Sequence, residues 1–278
     1  MYKDKLERLR AIFHTCERVM VAYSGGVDST LVAKVAFDVL GERTVAVTAA
    51  SPSLMNEDLE DAATQARQIG IRHEIIETTE LDDPNYNSNP VNRCYFCKSE
   101  LHGKLVPLAQ DWGIPVVMDG TNLDDLGDYR PGFQAAREKG IRSPLIEAEI
   151  TKLEVREISR ALGLSSWDKP AMPCLSSRFP YGETITREKL ERVGQAERYL
   201  RSLGLRQFRV RSSGETARIE VAPEQVRDFV LTTDLTSLIK AFKSYGYLFV
   251  ALDLEGYKSG KLNSALNPEE SRRYTLRT

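Results

Sequence analysis

An apolar segment, a glycine-containing turn and a second apolar segment with helical spacing follow one another between Arg18 and Leu40. In order, they read VMVAY, SGGVDS and TLVAKVAFDVL. Strand, turn and helix in this order are the opening unit of an α/β fold. We therefore expect a buried strand whose carboxyl end carries a glycine loop.

The same alternation of strand and helix continues along the first half of the chain. Further strands are predicted over residues 44–50, 72–78 and 114–120, with a helix over residues 56–69. Short apolar strands that alternate with helices predict a mostly parallel, doubly wound α/β sheet with helices on both faces. Ligands bind such sheets at the carboxyl ends of the strands, where SGGVDS, SPS and GTNLDD all fall.

The pattern changes in the second half of the chain. A helix is predicted near residues 152–162, and the segment after it, SSWDKPAMPCLSSRFPYG, is too rich in Pro and Ser to be regular throughout. A helix from Arg187, a hairpin around Gly214, a helix from Pro223 and the strand YLFVALD then predict a small α+β domain. We predict a first domain at residues 1–165, a cysteine-containing junction at 166–186 and a substrate-binding or oligomerisation domain at 187–278.

Charge and hydropathy narrow the classes of partner. Lys and Arg number 38 against 40 Asp and Glu, and the net charge of −2 gives no overall attraction to nucleic acid or anionic membrane. No apolar run approaches the roughly 18 residues of a membrane helix. The N-terminal segment MYKDKLERLR is charged where a signal peptide is apolar. We expect a cytoplasmic protein that acts on a small molecule.

The turn Ser24-Gly25-Gly26-Val27-Asp28-Ser29 has the chemistry of a phosphate loop. Backbone N–H groups and a helix N-terminus can hold an anion there, and the glycines let the backbone approach it. The turn has neither the Lys of G-x-x-x-x-G-K-[ST] nor the spacing of G-x-G-x-x-G. With a strand before it, an acid within it and a helix after it, it resembles the PP-loop of the ATP pyrophosphatases, which adenylate a substrate and release pyrophosphate.

This resemblance implies attack on the α-phosphate of ATP, loss of pyrophosphate and displacement of AMP by a nucleophile. Mg²⁺ is expected to neutralise the leaving group, with Asp28 as its nearest carboxylate. GTNLDD resembles the second loop of the family, although helix capping is the alternative role for Asp124 and Asp125. The implied nucleotide contacts are Ala22, Ser24, Gly25, Gly26, Asp28, Ser29, Gly120 and Asp125.

Cysteines distinguish the branches of this superfamily. In a reducing compartment, four cysteines indicate packing, metal binding or redox chemistry rather than disulfides. Cys94 and Cys97 form a C-x-x-C pair, and Cys174 opens the motif CLSSRFPYGE. Together with SGGVDS, NRCYFCK and GTNLDD, that motif resembles the LarE-type sulfurtransferases along the whole chain. Those proteins convert the carboxylates of pyridinium-3,5-biscarboxylic acid mononucleotide to thiocarboxylates in nickel-pincer nucleotide synthesis, and they form homo-oligomers.

Two sources of sulfur are implied by this resemblance. In one branch of the family, the cysteine that corresponds to Cys174 gives up its own sulfur and becomes dehydroalanine. In the three-cysteine branch, a [4Fe-4S] cluster on Cys94, Cys97 and Cys174 carries an extra sulfide on the iron that has no protein ligand. A zinc site that includes His102 and plain buried thiols are the other interpretations of these cysteines.

Arginines at two places in the sequence are candidates for substrate binding. Arg178 follows Cys174 by four residues, where it could face a phosphate, stabilise the thiolate or form a surface ion pair. Alternation along a strand puts Arg209 and Arg211 on one face, which either holds the phosphate of a mononucleotide or is simply solvated. Arg178 is also expected to take part in catalysis, together with Cys174 and Asp28.

One acidic residue lies on an apolar helix stripe. Glu197 continues the 3-4-3 spacing of Leu190 and Val193, and carboxylates are rarely buried without a partner. The resemblance implies that Glu197, Glu220 and Asp228 gather near the substrate and can bind a divalent metal. The expected function is an ATP-dependent sulfurtransferase. A tRNA thiolase, a non-catalytic nucleotide- or cluster-binding protein and an amide-forming synthetase remain the alternatives.

Overall fold

The computed structural model describes residues 2–127, 129–171 and 173–266. The end of the predicted C-terminal domain, 267–278, and Met172 of the predicted junction lie outside the described residues. Contacts divide the described chain into a first unit, 2–80 with 92–171, and a second unit, 81–91 with 173–266. The change from first to second unit near residue 172 falls within the predicted junction. Residues 81–91, predicted as part of the first domain, belong to the second unit.

The described chain contains helices and strands in both units. The helices are α1 (Tyr2–His14), α2 (Val27–Leu40), α3 (Asn56–Ile69), α4 (Pro84–Asn87), α5 (Arg93–Asp111), α6 (Pro131–Glu138), α7 (Pro144–Glu147), α8 (Lys152–Ala161), α9 (Arg187–Ser202), α10 (Val226–Thr232) and α11 (Leu235–Ser244). The strands are β1 (Val19–Ala22), β2 (Thr44–Ala50), β3 (Arg72–Glu77), β4 (Val116–Met118), β5 (Phe208–Ser213), β6 (Thr216–Val221) and β7 (Phe249–Leu252).

A parallel sheet with the strand order β3-β2-β1-β4 forms the centre of the first unit. The register pairs Val19 with Thr44 on β2 and with Val116 on β4. Because all strands of this sheet run in the same direction, the loops after β1, β2 and β4 leave the same edge. The glycine loop and GTNLDD therefore meet at that edge, as the sequence predicted.

Both faces of this sheet are covered, because successive side chains of β1 point to opposite sides. Val19 and Val21 pack in an apolar cluster with residues of α1, α2, α3, α7 and α8. Met20 packs on the other face in a cluster with residues of α5 and α6. The predicted doubly wound, mostly parallel α/β fold is confirmed.

The second unit contains a small mixed sheet with the order β5-β6-β7. Strands β5 and β6 form an antiparallel hairpin, and the turn between them includes Gly214 with φ +52°. Strand β7 pairs with β6 in parallel. Helix α9 packs on β5 through a buried stripe that includes Leu190, Val193 and Glu197. In the part of the chain that the structure describes, every helix is too short or too polar to cross a membrane.

Candidate active site

The glycine loop lies between β1 and α2, as predicted. Gly25 has φ +68°, and a Cβ atom there would lie 2.7 Å from Cβ of Ala62 on α3, so only glycine fits. Gly26 is extended and precedes α2, whose first turn has no side-chain cap. The N–H groups at this helix start are therefore available to an anion.

Two serine hydroxyls close the loop. Ser29 Oγ accepts a hydrogen bond from Ser24 N at 3.2 Å and lies 3.1 Å from Ser24 Oγ. Ser24 Oγ in turn accepts one from Gly26 N at 3.3 Å. Ala22 lies just before this turn, half-buried, at the end of β1. The predicted loop residues thus form one connected structure around the start of α2.

Asp28 in the first turn of α2 makes two contacts that sequence reasoning missed. Its Oδ2 atom forms an ion pair with Lys152 Nζ at the start of α8. Its Oδ1 atom accepts a hydrogen bond from Asn122 Nδ2 at 3.0 Å. The sequence predicted a helix near residues 152–162, but no local signal indicates that Lys152 reaches a loop 124 positions earlier.

The second loop approaches the glycine loop directly. A Cβ atom on Gly120 would lie 2.6 Å from the backbone nitrogen of Ser29, so a side chain here would push the two loops apart. Asp119, at the base of this loop, accepts hydrogen bonds from Thr121 Oγ1 at 2.8 Å and Ser143 Oγ at 2.7 Å. GTNLDD is therefore held firmly against the start of α2.

The two carboxylates of this loop have capping contacts, the alternative that sequence reasoning left open. Asp125 Oδ2 accepts a hydrogen bond from Asn122 N at 3.0 Å, and Asp124 Oδ2 accepts one from Lys152 N at 2.9 Å. Burial raises the pKa of Asp125, and its ion pair with Arg130 opposes that rise. In the described structure, both acids stabilise the backbone around Asp28.

A magnesium ion fits the donor set of this site. Mg²⁺ prefers oxygen ligands and is usually bound through one or two carboxylates plus substrate phosphates. Asp28 provides a half-buried carboxylate, and Ser24 and Ser29 provide hydroxyl oxygens in the same loop. Asp28 is the residue that would hold the ion, and its ion pair with Lys152 would then be broken.

The three cysteines of interest are divided between the two units. Cys94 is exposed and Cys97 half-buried, one turn apart at the start of α5 in the first unit. Cys174 is half-buried and precedes a short 3₁₀ turn, Leu175–Arg178, in the second unit. Among the described residues, no three Cys, His, Asp or Glu side chains are grouped to hold a metal ion. The predicted [4Fe-4S] cluster therefore stays a prediction.

His102, considered above as a zinc ligand, lies on the core-facing stripe of α5. The residue is 0% exposed, with Leu105 and Ala109 on the same buried side of the helix. Neither ring nitrogen has a hydrogen-bond partner. Burial and, to a smaller extent, the charge of Lys98 together lower the pKa of His102 to about 3. The ring is thus neutral and enclosed.

Arg178 and Glu197 form a buried, two-pronged ion pair in the second unit. Arg178 Nε and Nη2 each donate to Glu197 at 2.7 Å, with the side chains 1% and 0% exposed. Glu197 Oε1 also accepts a hydrogen bond from Val210 N at 2.9 Å. Burial alone would lower the pKa of Arg178, but the Glu197 carboxylate reverses this and raises it. The surface ion-pair interpretation of Arg178 is wrong.

Two residues on the charged face of the hairpin, Arg209 and Glu220, are buried. Arg209 is buried, with its guanidinium 4.8 Å from the centre of the Tyr257 ring. Burial lowers its pKa to about 10, and the Arg178 charge acts in the same direction. Arg211 Nε donates to the buried carboxylate of Glu220 at 2.9 Å. A merely solvated face is therefore the wrong interpretation for Arg209 and Glu220.

Asp228 differs from the two glutamates with which it was grouped. It is exposed in the first turn of α10, whereas Glu197 and Glu220 are buried and bound to arginines. In the described ranges these acids do not belong to a group that could hold a metal ion. Their predicted roles at the substrate remain proposals.

Comparisons with known proteins agree with this architecture. A family model described as NAD synthase matches residues 4–89, which include the glycine loop. An uncharacterized protein of Synechocystis sp. is 62% identical over 96% of this chain and 99% of its own length. The pyridinium-3,5-bisthiocarboxylic acid mononucleotide synthase of Lactiplantibacillus plantarum is 39% identical over 94% of this chain and 95% of its own.

A partial similarity extends to enzymes that act on RNA. The tRNA-specific 2-thiouridylase of Brucella suis is 28% identical over 63% of this chain and 53% of its own length. The two relatives described first, in contrast, align along almost the whole of both chains.

Proposed function

The chain belongs to the LarE family of PP-loop proteins, and from this premise we propose that it is an ATP-dependent sulfurtransferase. The proposed substrate is pyridinium-3,5-biscarboxylic acid mononucleotide, and the product is the corresponding thiocarboxylate of nickel-pincer nucleotide synthesis. The observation that carries the proposal is the 39% identity to the Lactiplantibacillus plantarum synthase over 94% of the chain.

The first proposed step is adenylation of a substrate carboxylate. A carboxylate oxygen attacks the α-phosphate of ATP, an acyl-adenylate forms and pyrophosphate leaves. The N–H groups at the start of α2 bind the phosphates, with Ser24 and Ser29 beside them. Bound Mg²⁺ would supply charge neutralisation of the leaving pyrophosphate. Lys152 is released from Asp28 as the nucleotide binds and turns to the phosphate oxygens.

The second proposed step replaces AMP by sulfur. If Cys174 is the donor, its sulfur attacks the acyl carbon, AMP leaves and a thioester to the protein forms. Loss of the Cα proton and breakage of the Cβ–S bond then give the thiocarboxylate and dehydroalanine at position 174. If the sulfur comes from a cluster on Cys94, Cys97 and Cys174, Cys174 stays intact. The mass of Cys174 after one turnover distinguishes the two sources.

We assign substrate binding to the arginines of the second unit. Arg211 is fixed by the Glu220 carboxylate, and Arg209 lies against an aromatic ring. The donors of Arg178 are directed to Glu197, Ser177 and backbone carbonyls, so Arg178 acts indirectly, by fixing the turn after Cys174. Rigid guanidinium groups bind phosphate through paired N–H donors more effectively than flexible lysines do. This arrangement supports binding of a mononucleotide phosphate. The buried Glu197 and Glu220 then act by orienting these arginines, with Asp228 as an acid at the rim.

The adenylation step is tested by Asp28→Asn, which keeps the size of the side chain but removes its charge. We expect pyrophosphate release from ATP, in the presence of the pyridinium substrate, to fall at least about 100-fold because the metal ligand is lost. Asp38→Asn, on the surface of the same helix, is the matched control and should retain wild-type turnover. Equal pyrophosphate release by Asp28→Asn and wild type would refute the proposal.

The partial similarity to 2-thiouridylases makes a tRNA thiolase the second candidate. Salt-sensitive binding of tRNA in a filter assay, with ATP consumption that depends on tRNA, would favour that function. ATP consumption that depends on the pyridinium mononucleotide and ignores tRNA would exclude it. Absence of pyrophosphate release with either substrate would favour a non-catalytic nucleotide-binding protein. Ammonium-dependent AMP formation that survives substitution of all three cysteines would indicate an amide-forming synthetase.

A further inference from the structure

Helix α3 contacts the glycine loop at two points that lie one turn apart. The first is Ala62, against which Gly25 packs too closely for any side chain. The second is Gln65, whose Nε2 atom donates a hydrogen bond to the carbonyl oxygen of Gly25 at 3.1 Å. Both contacts fall on the residue with positive φ, where the backbone makes its sharpest turn.

Gln65 also connects the loop to α2. Its Oε1 atom accepts a hydrogen bond from Thr30 Oγ1 at 3.3 Å. Gln65 is 7% exposed and Thr30 is 1% exposed, so water does not compete well for either bond. The two ends of one amide group therefore join the loop, the first turns of α2 and helix α3.

This contact determines where a neighbouring donor points. In a trans peptide, the carbonyl oxygen of one residue and the N–H of the next point in opposite directions. Because Gln65 holds the Gly25 oxygen towards α3, the Gly26 N–H is turned away from α3, where it meets Ser24 Oγ at 3.3 Å. Rotation of this peptide would remove the N–H from the side on which α2 begins.

We propose that Gln65 is a positioning residue of the pyrophosphate-binding loop, which holds the Gly25–Gly26 peptide so that the Gly26 N–H faces the phosphates. This inference rests on the proposed function. Packing alone does not explain the residue, because an apolar side chain would fill the same space without burying an amide that needs partners. Gln65 is expected to act through the loop and not to touch the nucleotide.

The test compares Gln65→Met, which keeps the volume but has no donor, with Gln68→Met on the exposed side of the same helix. We expect the dissociation constant for pyrophosphate, measured by calorimetry, to rise about tenfold in Gln65→Met. We also expect kcat for adenylation to fall about 10- to 100-fold, since misplaced binding groups weaken catalysis steeply. The control should match wild type in both measurements.

If Gln65 had a purely structural role, Gln65→Met would lower the melting temperature but leave the pyrophosphate affinity of the folded protein unchanged. Gln65→Glu, which keeps an acceptor for Thr30 but cannot donate to Gly25, gives a second version of the test if the methionine variant does not fold. Wild-type affinity and turnover in a folded Gln65 variant would overturn this inference alone. Failure of the wild type to bind pyrophosphate or to adenylate any substrate would overturn the proposed function as well.

Discussion

At the scale of single residues, the most informative contact is the ion pair between Asp28 and Lys152. Asp28 is the carboxylate that suits Mg²⁺, and Lys152 neutralises it in the absence of a ligand. In the proposed mechanism, phosphates and a cation replace this contact, and Lys152 then binds the anion. We therefore expect substitution of either residue to change the use of ATP.

Lys152→Met should weaken use of ATP while the protein stays folded. We expect kcat/KM for ATP to fall about 10- to 100-fold, because a charged contact to the phosphates worth roughly 1.5–3 kcal/mol is lost. Lys139→Met, at an exposed lysine after α6, is the control. Steady-state pyrophosphate release as a function of ATP concentration measures the effect. Unchanged kinetics in Lys152→Met would mean that this lysine only neutralises Asp28.

His102 should make the protein sensitive to acid. Its pKa of about 3 in the folded state lies below the ordinary 6.5. Between pH 6.5 and about 3, the unfolded chain therefore binds a proton that the folded chain does not. The stabilisation is therefore complete above pH 6.5 and is lost as pH falls from about 6.5 towards 3, by up to about 1.4 kcal/mol per pH unit.

His102→Leu should flatten this dependence, because leucine does not titrate. The measurement is urea unfolding at a series of pH values, with His14→Gln as the control at an exposed position. Equal slopes for wild type and His102→Leu between pH 6.5 and 4 would show that His102 is not the group responsible. The spacing of His102 with Leu105 and Ala109 is a signal from which its burial could have been foreseen.

At the scale of elements, the start of α8 joins stability to the site. Thr151 and Glu154 cap this helix reciprocally, and Lys152 is its first residue. Thr151→Ala should lower the unfolding free energy by about 1 kcal/mol and also raise KM for ATP. Thr186→Ala removes the analogous cap from α9 in the second unit and should cost similar stability without changing KM. An unchanged KM in Thr151→Ala would show that the helix cap does not position Lys152.

The Arg178–Glu197 pair ties α9 to the turn that follows Cys174. Arg178→Met or Glu197→Leu alone leaves a buried charge without its partner and should cost about 3–5 kcal/mol. The double substitution should cost clearly less than the sum, because neither member of this pair is then left buried without its partner. Chemical denaturation of the four proteins measures the coupling, and Glu149→Leu in the exposed pair with Arg8 should have little effect. Strictly additive losses would contradict a direct coupling.

Most elements were predictable because their determinants are local. Alternation of apolar residues located β2 and α3 at their observed bounds, and Gly214 marked the hairpin. The loop residues of the site were predictable for the same reason. Lys152 and Gln65 were not, because each reaches the glycine loop from a distant helix and no local pattern encodes that contact.

At the scale of the whole molecule, the chain does not divide into units in simple linear order. Residues 81–91 join the second unit through long-range contacts. Tyr86 Oη lies 2.6 Å from Ser176 Oγ, and Asn89 Nδ2 donates to Pro180 O at 2.7 Å. These partners are 90 and 91 positions apart, so a search for composition changes along the chain did not reveal them. The predicted homo-oligomer remains a prediction, which light scattering can test.

Sulfur transfer to a carboxylate can be tested in one anaerobic experiment. The protein is incubated with Mg²⁺, ATP and pyridinium-3,5-biscarboxylic acid mononucleotide, and mass spectrometry measures AMP, the thiocarboxylate and the intact protein. We predict one AMP for each thiocarboxylate formed, and Cys174→Ala should form none. Thiocarboxylate formation without ATP, or undiminished formation by Cys174→Ala, would show that sulfur transfer does not use the proposed adenylation or Cys174.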